Sequence, residues 1–231
     1  MTLIVLLFQN QRSEALALVL GAQEAPNDSA TRNTDLNRKL ERSRKISVEL
    51  TSHLPKGAIL VGKDLPATVK RAVQELSSLY RDSLLAGTLT TQLIVIRDIN
   101  RYLDYKGVVD KTQRDVIKRY RAAFTLDEQW PIYINGESEL FSLAESRSLT
   151  PVDPLVYKLA GLIAHERVHA EGEPSEKKAI EEETRILQIF VVRGLLEMDW
   201  LIARKTKLAE LINGKATDEP LKLKTIRISQ F

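Results

Sequence analysis

Apolar positions recur at helical spacing through most of the chain and gather into strand-like runs in only a few places. After Leu65-Pro66, the residues Val69, Ala72, Val73, Leu76, Leu79 and Tyr80 keep the i, i+3, i+4 spacing of one buried helix face, with Gly87 at or just past its end. Gln92–Tyr105 carries two patterns at once: LIVI suits a strand, whereas Ile96, Ile99 and Leu103 suit a helix. Asp110 or Thr112 is a candidate cap for a helix reaching about Phe124, with Val116, Ile117 and Tyr120 inward and a solvated basic face. Gly57–Gly62 and Pro131–Asn135 are short apolar runs between breakers, so they predict strands. Asn135-Gly136 is a turn dipeptide across which Leu140–Leu143 would pair back.

The C-terminal half predicts two helices. In Asp153–Gly172, Asp153 is a natural N-cap and Pro154 occupies the first helical position, where its missing N–H costs nothing. Leu155, Leu159, Leu162 and Ile163 form the apolar stripe, Gly172 is the stop, and Pro174 prevents continuation. Ser175 then caps a second helix running from Glu176 to about Leu201, with Ala179, Ile186, Leu187, Phe190 and Leu195 inward. The pattern implies an α+β fold, predominantly helical, with a small sheet preceding the first of these helices.

Composition then works by exclusion. The 231 residues are 43% hydrophobic and 28% charged, enough to build a packed core. No apolar run approaches the roughly 18–20 residues of a spanning helix. The absence of Cys removes disulfides, thiolate zinc sites and a cysteine nucleophile. A net charge of +3 gives no reason to expect nucleic acid as a partner. Met1–Phe8 is apolar but no basic residue precedes it, and Arg12 and Glu14 separate it from the next apolar run; a buried first element is favoured over a signal peptide. Gln23–Asn33 is the best linker candidate, and Arg204–Arg227, with seven basic residues, reads as a solvated tail. The expected organisation is a mainly helical region over 1–125, a core over 126–201 and an extension over 202–231.

One stretch of the first C-terminal helix carries chemistry. His165-Glu166-Arg167-Val168-His169 lies near the helix end, and two of the three His in the chain stand in it. Residues four apart share a helix face, so both imidazoles can reach one metal ion. Glu166 is turned by about 100° from His165, off the ligand axis yet within reach of a water on the metal. This H-E-x-x-H segment resembles the zincin superfamily of metallopeptidases, over roughly Trp130–Leu201 at most. The resemblance implies Zn2+ held by His165 and His169, Glu166 as general base and then acid, and hydrolysis of peptide or protein substrates. It also implies an edge strand that pairs with the substrate, for which Pro131–Asn135 is placed, and an oxyanion-stabilising side chain, for which Tyr133 and Tyr157 are weak candidates.

The third metal ligand needs a separate argument. The metzincin extension holds through Gly172, but Ser175 stands where its third His belongs. Gluzincins instead take a Glu from the following helix, often as E-x-x-A. Glu176 and Glu183 fall on the apolar stripe of that helix, whereas Glu181 points away and Glu182 lies at the margin. A tight antiparallel pair about Gly172–Pro174 sets Glu176 opposite His169, and Glu176-Lys177-Lys178-Ala179 reads as E-x-x-A. Glu176 is therefore the favoured ligand, Glu183 and Glu173 are the alternatives, and Glu183 is also a candidate acceptor for a ligand imidazole. The spacing from His169 is short for a gluzincin. Two competing readings remain: a regulatory protein built on a zincin-like domain, with a DNA-binding or repressor-cleaving role, and a non-enzymatic helical interaction domain in which the motif is incidental.

Overall fold

The computed structural model describes residues 29–81, 83–120, 122–126, 129–141 and 154–215. The apolar start of the chain, the cap at Asp153 and the tail beyond residue 215 lie outside them, as do residues 23–28 of the linker candidate. The elements follow in the order α1 (Ser29–His53), β1 (Ile59–Val61), α2 (Ala67–Tyr80), α3 (Ser83–Gln92), β2 (Leu93–Ile96), α4 (Ile99–Tyr105), α5 (Lys111–Tyr120), β3 (Ala123–Leu126), β4 (Gln129–Asn135), α6 (Pro154–Ala170), α7 (Glu176–Val192) and α8 (Met198–Ile212). This is the expected α+β architecture, mainly helical with a small sheet ahead of the motif helix. Among the described residues no helix is long and apolar enough to cross a membrane.

The four strands form one mixed sheet in the order β1-β2-β4-β3. β2 runs antiparallel to β1 and parallel to β4, and β3 closes the other side antiparallel to β4. Side chains on a strand alternate between faces. Leu93 and Val95 accordingly join Ile132 and Ile134 in an apolar cluster with α2, α3, α6 and α7. Ile94 and Ile96 join Phe124 and Tyr133 in a second cluster on the opposite face, with Leu50, Ile99, Tyr102 and Ile117. A sheet covered on both faces wants a continuous apolar run, and this is why LIVI does not alternate. The sheet and the larger cluster both draw residues from either side of position 125.

Several local expectations meet a different outcome. The two patterns in Gln92–Tyr105 are both real: the strand ends at Ile96, and Asp98 caps α4 by accepting the Arg101 N–H at 3.1 Å. Asp110 caps α5 through the Gln113 N–H at 2.8 Å, but that helix stops at Tyr120, and Phe124 belongs to β3. The linker candidate is helical from Ser29 onward. Leu140 and Phe141 are helical and do not pair back, because β4 already has a partner on each side. For the same reason β4 is no edge strand; among the described strands the edges are β1 and β3. The second C-terminal helix ends at Val192 rather than Leu201: Gly194 takes φ 71°, reverses the chain, and starts α8 at Met198.

α6 is the central helix. It is buried nearly all round from Leu155 to Glu166, packed by α2 on one side and α7 on another. α6 and α7 approach closely at Gly161: a Cβ there would stand 2.8 Å from Leu187 Cδ2 and 3.5 Å from Glu183 Cγ. The glycine thus serves the helix contact. That contact brings the carboxylates of α7 under the imidazoles of α6.

Candidate metal centre

The site begins with how α6 ends. Gly172 adopts φ 92° and donates its N–H to His169 O at 2.8 Å, while the Glu173 N–H reaches back to Val168 O at 3.3 Å. This is a Schellman stop, which needs a residue free to take positive φ. It has a second effect: it points the Glu173 carbonyl at His169, whose Nδ1 donates to it at 2.8 Å. The contact places a proton on Nδ1, so Nε2 is the nitrogen of His169 that a metal could take. That Nε2 is buried and has no hydrogen-bond partner among the described residues.

α7 then begins at once. Ser175 accepts the Lys178 N–H at 3.3 Å, and Glu176 occupies the first turn, where an anion is favoured. Glu176 and Glu183 are 6% and 1% exposed, so both acids of the apolar stripe face inward, while Glu181 is exposed and Glu182 is half-buried. Glu176 Oε2 lies 3.5 Å from His165 Nε2, and its Oε1 lies 3.8 Å from His169 Nε2. One potential ligand atom from each of His165, His169 and Glu176 falls within 4.8 Å of the others. Ligands at about 2.0–2.2 Å around a tetrahedral ion stand roughly 3.3–3.6 Å apart; the two carboxylate–imidazole contacts, 3.5 and 3.8 Å, are near that spacing, and the 4.8 Å span of the whole set is wider than it. The cluster is a buried zincin-type HExxH triad with a distal glutamate, gluzincin-like in its architecture.

No protein-family model matches the chain, and neither a curated protein nor a solved structure is significantly similar to it. The triad is therefore read from its own geometry.

The neighbours of the triad explain its electrostatics. Glu166, 4% exposed, lies in the same buried region, and its charge acts on His165. Glu183 Oε2 stands 3.2 Å from His165 Nδ1, on the side of the ring away from Glu176. Glu183 Oε1 in turn meets Arg204 Nε at 2.8 Å. Burial opposes a charge on Glu183, but His165, Arg204 and Lys207 together hold its carboxyl below the ordinary carboxylate range. Burial likewise opposes a charge on His165, yet Glu176, Glu183 and Glu166 prevail and push its pKa up to about 9. Among the described residues the buried centre thus collects three carboxylates, with Arg204 as the guanidinium among them.

Of the residues singled out in the sequence, His165, Glu166, His169 and Glu176 come together. Glu183 stands behind His165. Glu173 contributes its carbonyl to His169, while its carboxylate accepts the Ser175 N–H at 3.1 Å and pairs with Lys178. Tyr133 is stacked on Phe124 in the second apolar cluster, and Tyr157 packs on Phe190, so both rings are core residues. Arg204 was missed, because the segment that carries it reads as a solvated tail. The signal that could have found it was Glu183 itself, an acid on an apolar stripe that must find a cation.

The charge arrangement makes a prediction for the metal-free protein. A His whose folded pKa of about 9 exceeds the ordinary 6.5 adds stability that is complete below about 6.5 and disappears as pH rises through 9. Chelator-treated protein should therefore show a falling denaturant midpoint between about pH 7 and 10. A flat midpoint over that range would contradict the charged His165 pairing.

Proposed function

We infer that this chain is a zinc-dependent metallopeptidase, a hydrolase of peptide bonds in peptide or protein substrates. His165, His169 and Glu176 would hold the ion. The single observation that carries the reading is their convergence: one potential ligand atom from each of buried His165, His169 and Glu176 within 4.8 Å of the others, with His169 Nε2 lacking a hydrogen-bond partner among the described residues. A donor set of two imidazoles and one carboxylate suits zinc better than the harder divalent cations. Charge argues the same way. Three buried carboxylates gather around the two imidazoles with Arg204 as the guanidinium beside them, an acidic surrounding that a divalent cation would help to neutralise.

When bound, zinc would supply Lewis acidity, polarising the scissile carbonyl and acidifying a water. The chain's own part is proton management and orientation. Glu166 takes a proton from the attacking water as the new C–O bond forms, and returns it to the amine nitrogen as the C–N bond breaks. The Glu173 carbonyl accepts the His169 Nδ1–H, and the Glu183 carboxylate, 3.2 Å from His165 Nδ1, would favour the remaining proton there once a metal takes Nε2. The low dielectric of the site strengthens each of these interactions.

The test is direct. Full-length protein loaded with one equivalent of zinc is incubated with a mixture of unstructured peptides and the fragments are read by mass spectrometry. Cleavage that stops with chelator and returns with zinc is the expected result. Stoichiometric zinc without cleavage of any peptide would reduce the reading to a structural metal site, and absence of zinc uptake would remove it.

A further inference from the structure

We propose that Arg204 is a positioning residue of the metal centre, acting on His165 through Glu183; the proposal rests on the zinc reading above. The two oxygens of Glu183 are divided between two partners. Oε1 meets Arg204 Nε at 2.8 Å and Oε2 faces His165 Nδ1 at 3.2 Å. Both are ion-pair contacts set by distance rather than directed hydrogen bonds, and turning the carboxylate about its terminal bond lengthens at least one of them, so the direction of Oε2 is coupled to Arg204. The direction of the His165 ring is tied in turn to Oε2, and its far nitrogen is the one 3.5 Å from Glu176.

The guanidinium is itself held. Arg204 Cζ lies 5.4 Å from the centre of the Trp200 ring, one helical turn earlier on α8, and Lys158 Nζ lies over the same ring at 4.6 Å. Leu201, buried in the main core, fixes the rotation of α8. Arg204 is only 24% exposed on its side chain, against 1% for Glu183, so it screens the carboxylate from solvent. The chain of contacts thus runs from Trp200 through Arg204 and Glu183 to His165, and the third C-terminal helix becomes part of the centre rather than an appendage. A bland alternative exists, in which Arg204 merely neutralises a buried acid. That role predicts a loss of stability with no change at the metal.

The experiment compares wild type, Arg204→Gln, Glu183→Gln and the double variant by zinc competition against a chromophoric chelator and by the visible spectrum of the cobalt(II) form. Arg204→Gln should weaken zinc by about 10–100-fold and shift the cobalt bands, as loss of a group behind a ligand does. In the Glu183→Gln background the same substitution should cost no further affinity. Unchanged affinity and spectrum in Arg204→Gln overturn the proposal whatever happens to the melting temperature, and so do losses that multiply in the double variant. Should Arg204→Gln fail to fold, Arg204→Lys keeps the charge but not the planar fork; an intermediate loss supports the proposal and wild-type values overturn it. Failure of the wild type to take up zinc is a separate result, which removes the metal reading itself.

Discussion

Glu166→Gln is expected to retain one zinc per chain and to lower kcat by about 10²–10⁴-fold. The amide matches the carboxylate in size, so the buried position, 4% exposed, accepts it without opening a cavity. It cannot take a proton from water or deliver one to the leaving amine. The ligand nitrogens of His165 and His169 are oriented by Glu183 and by the Glu173 carbonyl, neither of which the substitution touches. Zinc content by atomic spectroscopy and single-turnover peptide cleavage check the two halves independently. Wild-type turnover in this variant would remove Glu166 from the chemistry.

Glu176→Ala is expected to weaken zinc by more than about 100-fold, beyond the effect of any group that only orients a ligand. It should also abolish the rise in melting temperature that zinc confers on the wild type. That rise follows from mass action, about 2.7 kcal/mol at a free zinc concentration 100 times Kd, and it vanishes with the binding. Glu183→Ala is the matched control. Both acids are buried on one face of α7, but Glu176 lies against the Nε2 atoms and Glu183 against the Nδ1 of His165. The Glu183 variant should therefore still bind zinc, more weakly. The opposite ranking of the two variants would exchange their roles. Calorimetric titration of zinc into both proteins decides between them.

Why these two acids could be told apart only partly from sequence has a geometric answer. Helical periodicity brings positions seven apart to the same face, and Glu176 and Glu183 are seven apart. Their common burial was thus legible, as was the exposure of Glu181. Which one sits against which nitrogen depends on how far α6 and α7 slide along each other. The close contact at Gly161 and Leu187 sets that register, and it is a property of two helices together.

The same distinction separates the elements read correctly from those misread. α2, the strand in Pro131–Asn135 and the capped helix of the motif rest on local signals, namely period, Pro, Gly and capping groups. β4 misled as a substrate-pairing edge because a short apolar strand reads the same whether it lies inside a sheet or at its border. Its neighbours β2 and β3 come from other parts of the chain. In the tail, Lys205, Lys207 and Lys215 are exposed as a solvated segment should be, and among its described basic residues Arg204 alone departs from that reading, because a buried acid from another helix meets it.

By itself, then, the amino-acid order determined an amphipathic helical protein with a small sheet, a helix ending in two imidazoles one turn apart, and a following helix with two acids on its inner face. Each of these is a short-range consequence of backbone periodicity and of where chains can start and stop. Tertiary structure alone decided that Glu176 closes the cluster, that Glu183 stands behind His165, and that Arg204 joins it from a third helix. Those outcomes depend on the relative sliding of packed helices and on the direction the chain leaves Gly194, which no local pattern encodes.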